Sequence, residues 1–262
     1  MSKLTLALVQ MRVGKDKADN LARAAVFVKE ASENGAQLVI LPEMFQTPYE
    51  TSLFPLYAEE RGDISYQALS AMARENAITL VGGSIAELED GRVYNTSFVF
   101  NPEGEEIARH RKVHLFDIDI PGGQYFKESD TLTAGEDMTF FETDFGRIGL
   151  GICFDVRFSA FAHKMAKAGA RVLVYPAAFN PTTGPKHWEL LFRSRANDNQ
   201  VYTVGVSSLP SEKEGYQAYG HSLVVNPWGE VILEMGTDEG IGYAILESDL
   251  IDEVRGAIPL GQ

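Results

Sequence analysis

Cys153 ends the run Arg147-Ile148-Gly149-Leu150-Gly151-Ile152 and precedes Phe154-Asp155-Val156-Arg157-Phe158. Ile148, Leu150 and Ile152 alternate with glycines, the pattern of a short buried strand that lets another backbone come close. A helical pattern begins a few residues on, at Phe161, Met165 and Ala168. The carboxyl end of a strand, just before a helix, is where α/β proteins place reactive groups. This is the single cysteine of the chain, so an intrachain disulfide and a CxxC metal pair are both excluded. A thiol so placed is either a small buried hydrophobe or a nucleophile. The second reading needs a base, a cation and a substrate anchor at other strand ends.

Each has a candidate. Glu43 follows Pro42 after the apolar run Leu38-Val39-Ile40-Leu41. It reads as a surface or helix-start acid, or as a general base whose pKa is raised by desolvation among Leu41, Met44 and Phe45. Lys112 closes a strand after His110 and Arg111. It is either an edge-strand lysine or a buried ammonium that favours the thiolate and holds an oxyanion. The backbone N–H of Phe154 would add a second oxyanion donor. Glu128 is a solvated loop acid or a second carboxylate that holds Lys112 or the substrate amide. Arg157, four residues after Cys153, pairs with Asp155 or another acid, or clamps a substrate carboxylate with its planar fork. His114 and His187 read as structural hydrogen-bonders.

The elements that must position these groups alternate between strand and helix. Leu4 to Gln10 is a strand, and a helix from about Lys17 to Asn34 starts at the capping residue Asp16. Gln37 to Leu41 is a buried strand stopped by Pro42, a helix spans Ser65 to Glu75, and Ile78 to Gly82 is a strand. Val93 to Phe100 and Glu105 to Lys112 flank the turn Asn101-Pro102-Glu103-Gly104. Val113 to Thr133 has little periodicity and reads as a long ordered loop. The second half echoes the first. Gly169-Ala170-Arg171-Val172-Leu173-Val174-Tyr175-Pro176 matches Gly35-Ala36-Gln37-Leu38-Val39-Ile40-Leu41-Pro42, and Asn226-Pro227-Trp228-Gly229-Glu230 matches the 101–105 turn. The expected architecture is α/β: two pseudo-symmetric βα halves in a four-layer αββα sandwich, one domain over residues 1–262.

Composition narrows the partners. The 262 residues are 45% hydrophobic and 23% charged, as in ordinary globular chains. A net charge of −14 with no lysine-arginine block disfavours nucleic acid and acidic membrane. No run of about 18 apolar residues is present to span a bilayer. Met1-Ser2-Lys3-Leu4-Thr5 leads straight into a strand without a leader pattern, and the unpaired cysteine suits a reducing compartment, so the expected location is the cytoplasm. Gly149-x-Gly151 lacks the third glycine of a dinucleotide fingerprint, and no P-loop, HExxH or GxSxG occurs. No metal or cofactor is expected.

Leu41-Pro42-Glu43, Arg111-Lys112-Val113-His114-Leu115 and Gly151-Ile152-Cys153-Phe154-Asp155-Val156-Arg157-Phe158 resemble the three signatures of the nitrilase (carbon–nitrogen hydrolase) superfamily. The resemblance runs nearly end to end. It implies a Glu43–Lys112–Cys153 triad, a second glutamate at Glu128, an αββα fold and a homodimer. His114 to Gly122, Phe179 to Leu191, and Arg193-Ser194-Arg195-Ala196 with Asp198-Asn199-Gln200 are similar to the omega-amidase branch. That likeness puts Arg157, Phe179 and Thr183, with Tyr49 as a further candidate, around the substrate's carboxylate end. It implies hydrolysis of the omega-amide of short 2-oxo dicarboxylic acid monoamides, 2-oxoglutaramate or 2-oxosuccinamate, through a cysteine thioester. It also implies a longer tail, with arginines and a tyrosine, than the one ending Pro259-Leu260-Gly261-Gln262. The competing readings are a hydrolase of N-carbamoyl amines, of deaminated glutathione or of a nitrile, and a non-catalytic binding scaffold.

Overall fold

A computed structural model of the chain describes residues 2–121, 125–210 and 215–260. Met1, Gly122 of the His114–Gly122 stretch, and Gly261-Gln262 lie outside the described residues. Two sheets carry the structure. In the first, Lys3–Gln10, Leu38–Ile40 and Thr79–Val81 run parallel. Gly240–Glu247 pairs antiparallel on one side and Arg92–Phe100 on the other. Ile85–Glu89 and Glu106–Arg111 both pair with Arg92–Phe100. In the second sheet Gly146–Leu150, Val172–Ala177 and Tyr202–Ser207 are the parallel strands. Thr139–Thr143 flanks them on one edge, with Leu223–Val225 and then Val231–Glu234 on the other, all antiparallel.

The same scheme therefore occurs twice, and the sequence echoes fall on matching parts of it. Leu38–Ile40 and Val172–Ala177 are the middle parallel strands of their sheets. Parallel neighbours need long crossovers, which helices supply on the outer faces. These are Lys17–Glu33 and Ile64–Asn76 in the first half, Ser159–Lys167 and Gly184–Asn199 in the second. Asp16 caps the first of them by accepting from the backbone N–H groups of Ala18 and Asp19.

Side-chain alternation sorts the layers. Leu4, Leu6, Leu8, Leu38 and Ile40 meet Ile148, Leu150, Val172 and Val174 in one buried cluster between the sheets. The opposite faces carry Ala7, Val9 and Val39 against Leu21, Val28 and Leu69 of the first two helices. They carry Leu173 and Tyr175 against Phe161, Met165, Trp188 and Phe192 of the second pair. Strands covered on both faces must be apolar at every position, which is why they read as continuous hydrophobic runs. The result is the expected four-layer αββα sandwich.

Three local expectations need correction. Val113 to Thr133 is not all loop: Asp117–Asp119 pairs antiparallel with Tyr125–Lys127, and Glu128–Asp130 is a 3-10 turn. Strands of three residues are too short to show a period of two. Ile85–Glu89 and Thr139–Thr143 are further strands that periodicity did not reveal. The space above Gly149 and Gly151 belongs to side chains, not to another backbone: a Cβ on Gly151 would lie 2.6 Å from the Tyr175 ring.

One glycine ties the sheet to the region behind Glu43. Gly83 has φ +58°, and a Cβ there would sit 2.1 Å from the Pro42 carbonyl oxygen. Gly83→Ala is expected to cost about 1–3 kcal/mol for the backbone conformation alone, plus the steric clash. Gly91→Ala, at φ +73° with nothing within 4 Å of the added Cβ, pays the first cost without the second. Urea unfolding of both variants checks this, with the larger fall in midpoint at Gly83.

Candidate active site

The chemistry-bearing groups come from four separate segments. Glu43 follows the Leu38–Ile40 strand, in a turn where Met44 takes φ +48° and donates its N–H to Ser84 Oγ. Lys112 follows the Glu106–Arg111 strand and is anchored by its own N–H to the Asn95 carbonyl. Glu128 opens the 3-10 turn after Tyr125–Lys127. Cys153 opens the 3-10 turn Cys153–Arg157 and has φ +62°, an uncommon conformation for a side-chain-bearing residue.

Lys112 Nζ lies 2.7 Å from Glu43 Oε1 and 3.0 and 2.9 Å from the two oxygens of Glu128. All three side chains are fully buried. Tyr49 Oη reaches Glu128 Oε1 at 2.5 Å, with Glu43 Oε1 and Lys112 Nζ both at 3.2 Å. Asn95 Nδ2 donates to Glu43 Oε1 at 2.8 Å, and the Phe116 N–H donates to Glu128 Oε2 at 2.6 Å. Loss of water raises the Glu43 pKa, Lys112 opposes that shift, and Glu128 adds to it. For Lys112 the two carboxylates outweigh burial and hold the ammonium charged.

Glu43 Oε1 is thus fully occupied, whereas Glu43 Oε2 is buried with no hydrogen bond. A lone unsatisfied oxygen in a dry site calls for an explanation. The Cys153 thiol is within hydrogen-bonding reach of the Glu43 carboxylate, and the charge of Glu43 acts on it. Burial and the Glu43 charge push the Cys153 pKa well up, while Lys112 and the Ala178 backbone N–H pull it down. The expectation that Lys112 favours the thiolate holds for its own contribution but not for the balance. Burial and the Glu43 charge thus disfavour the thiolate beside this carboxylate.

Asp155 does not pair with Arg157. Its carboxylate accepts from the Ile152 N–H and the His114 N–H, each at 2.9 Å, and contacts His114 Nδ1 at 2.7 Å and His110 Nε2 at 3.2 Å. Those contacts hold its pKa far below the usual carboxylate range against the pull of burial.

Arg157 makes no ion pair among the described residues. Its guanidinium lies 5.5 Å from the Phe154 ring and 5.1 Å from the Phe179 ring, and its Nε is buried without a partner. Cys153, Phe154, Arg157, Phe179 and Thr183 line one small cavity, with Phe116, Ala178, Asn180 and Tyr216 completing the wall. A larger cavity touches Glu43 and Tyr49 but neither Cys153 nor Arg157. The smaller one brings the sulfur and the Arg157 guanidinium to one wall, and Glu43 and Lys112 are not among its lining residues. Tyr49 stands outside its lining, with the hydroxyl among the charges and the ring stacked on Phe126.

Sequence reading missed Asn95, Asp155, Ala178, Asn180 and Tyr216. A signal existed for the first: Asn95, Thr96 and Ser97 are consecutive, fully buried polar residues inside a strand, and such groups require partners. Tyr216, whose hydroxyl donates to the Ala178 carbonyl at 2.5 Å, carries no such mark.

A thiol next to a carboxylate that is itself paired with an ammonium is equipped for attack on a carbonyl or nitrile carbon. The model of the carbon-nitrogen hydrolase family matches residues 5–256. Omega-amidase NIT2 of Danio rerio is 51% identical over 260 residues, covering 99% of this chain and 94% of that protein. The Homo sapiens omega-amidase NIT2 is 49% identical with the same coverage. Among solved structures, Saccharomyces cerevisiae Nit3, a member of branch 10 of the nitrilase superfamily, superposes with a TM-score of 0.91 at 43% identity, covering 99% of this chain and 96% of that one. The chain belongs to the carbon-nitrogen hydrolase family.

The charge balance around sulfur gives a test. Glu43 raises the thiol pKa, so Glu43→Gln is expected to lower the midpoint of Cys153 alkylation by iodoacetamide as pH is varied. The same variant should lose about 100-fold or more in amide hydrolysis if Glu43 is the base. An unchanged midpoint would show that the carboxylate does not feel the sulfur.

Proposed function

We propose that the chain is an omega-amidase. It hydrolyses the terminal amide of short 2-oxo dicarboxylic acid monoamides, such as 2-oxoglutaramate and 2-oxosuccinamate, to the dicarboxylate and ammonia. The identity to omega-amidases over nearly the whole chain supports the activity. The observation that carries the substrate class is Arg157, a cation without a carboxylate partner among the described residues, in the same small cavity as Cys153.

In this reading Cys153 is the nucleophile, Glu43 the base and Lys112 the electrostatic partner of the oxyanion. The free Glu43 Oε2 takes the thiol proton as sulfur attacks the amide carbon. Negative charge then gathers on the amide oxygen. Lys112 directs two donors to carboxylates, and its longer 3.2 Å contact to Tyr49 Oη is the one an oxyanion would replace. The Phe154 N–H, one residue past the sulfur, is the second donor. Glu43 returns the proton to the departing ammonia, leaving a thioester. A water that loses its proton to Glu43 then attacks that thioester and releases Cys153. Glu128 and Tyr49 hold Lys112 in place. Arg157 fixes the far carboxylate, with Phe179 and Thr183 shaping the wall beside it. A charged hydrogen bond of this kind contributes about 1.5–3 kcal/mol, or about 10- to 100-fold in preference over uncharged amides.

The same proposal includes a single working unit over the described chain, a homodimer and a cytoplasmic location. Supporting the first is the shared cluster between the two sheets. For the dimer, exposed Leu190 and Trp228 line one shallow depression on the outer helix face. No helix among the described residues is long and apolar enough to cross a membrane.

Cys153→Ala is expected to abolish ammonia release from 2-oxoglutaramate while the circular-dichroism spectrum stays native. Turnover near the wild-type rate would remove the nucleophile assignment. Arg157→Ala should lower kcat/KM about 10- to 100-fold for 2-oxoglutaramate and far less for butyramide, measured by released ammonia. Equal losses would make Arg157 structural.

A further inference from the structure

Arg157 raises a physical problem that the proposed reaction leaves open. A half-buried guanidinium normally has a carboxylate to fix it, yet such a partner would cancel the charge that the substrate needs. The partner here is His187, whose Nδ1 lies 3.2 Å from Arg157 Nη1. Arginine has only donors, so the ring nitrogen must be the acceptor and His187 is a neutral imidazole carrying its proton on Nε2. Burial, Arg157 and Lys186 all press its pKa down, which keeps the ring in that form.

We infer that His187 is the positioning residue for Arg157 and so a determinant of selectivity for anionic amides. It fixes one edge of the guanidinium without neutralising it, leaving the remaining donors for a carboxylate. The inference rests on the reading of Arg157 as the carboxylate anchor. His187 stands in the first turn of the Gly184–Asn199 helix, with its own N–H donating to the Thr183 carbonyl at 2.8 Å. Thr183 in turn is held by Asn180 Oδ1, through its N–H at 2.9 Å and its hydroxyl at 3.2 Å. The imidazole is therefore mounted on a fixed helix start. His187 does not line the Cys153 cavity, so any effect on substrate must pass through Arg157. The Phe154 and Phe179 rings attract the cation but do not set its in-plane orientation. The hydrogen bond to His187 does.

The test compares His187→Ala, His187→Gln, Arg157→Ala and the His187→Ala/Arg157→Ala double variant on 2-oxoglutaramate and on butyramide. His187→Ala is expected to raise KM for 2-oxoglutaramate about five- to tenfold, with little change in kcat or in KM for butyramide. His187→Gln, which offers a neutral oxygen acceptor, should recover part of the loss. In the Arg157→Ala background the His187 change should add nothing to the fall in kcat/KM. A rise in KM shared equally by both amides, or a full His187 effect without Arg157, overturns the inference. The two levels separate cleanly. If Arg157→Ala discriminates between the amides and His187→Ala does not, only the positioning role falls. If Arg157→Ala penalises both alike, the carboxylate anchor falls with it.

Discussion

Everything at the site depends on one ammonium placed between two carboxylates with no water around any of them. Removing Glu43, Lys112 and Glu128 from solvent costs several kcal/mol per ion, which only close contacts and further hydrogen bonds can offset. The structure supplies them: Lys112 contacts both acids within 3.0 Å, and Asn95, Tyr49 and the Phe116 N–H donate further hydrogen bonds to the same carboxylate oxygens. The exception is Glu43 Oε2. Loss of water raises both the Glu43 and the Cys153 pKa, with Glu128 adding to the first shift and Glu43 to the second, against the pull of Lys112.

Such a cluster demands that distant segments be held to within tenths of an ångström, and the two sheets share that task. The first sheet ends in Glu43 and Lys112, the second in Cys153 and the Ala178–Phe179 wall. Asp155 links the two. It binds the Ile152 N–H just before the sulfur, and it binds His110 and His114 on either side of Lys112. A single buried carboxylate thus fixes the turn that carries the thiol against the segment that carries the ammonium. The same grip helps hold Cys153 at φ +62°, a conformation that persists only where its surroundings over-determine it.

Much of this was legible in the residues, and the rest was hidden for definable reasons. Continuous apolar runs revealed the parallel strands because burial on both faces leaves no polar position, as at Leu38–Ile40 and Val172–Ala177. The paired Asn-Pro turns revealed the doubling. The short pairing of Asp117–Asp119 with Tyr125–Lys127 was not readable, since its residues are mostly exposed and each strand is only three residues long. Glu43, Lys112, Glu128 and Cys153 could be named because the first, second and last lie in motifs that resemble the family's signatures and the likeness implies the third; taken singly, each also reads as an ordinary surface or core residue. The parts played by Tyr216 and Asp155 were not, because a tyrosine hydroxyl or an aspartate reads the same in sequence whether it meets water or a backbone amide.

A raised thiol pKa looks like a handicap for a nucleophile, but the coupling turns it into a means of timing. While Glu43 is ionised, its charge opposes the thiolate and outweighs the help from Lys112. In the proposed reaction the proton passes from sulfur to Glu43, so the negative charge moves between neighbouring groups and its total does not change. The repulsion from Glu43 disappears in that step, whereas the attraction of Lys112 remains. The environment that disfavours a resting thiolate therefore favours one whose proton has gone to Glu43. In that proposed reaction sulfur would become a strong nucleophile only together with the creation of the acid that the leaving ammonia requires. Preorganised charges of this kind need no solvent to rearrange during the reaction. The dryness that makes the trio costly to fold is also what gives each of its contacts strength.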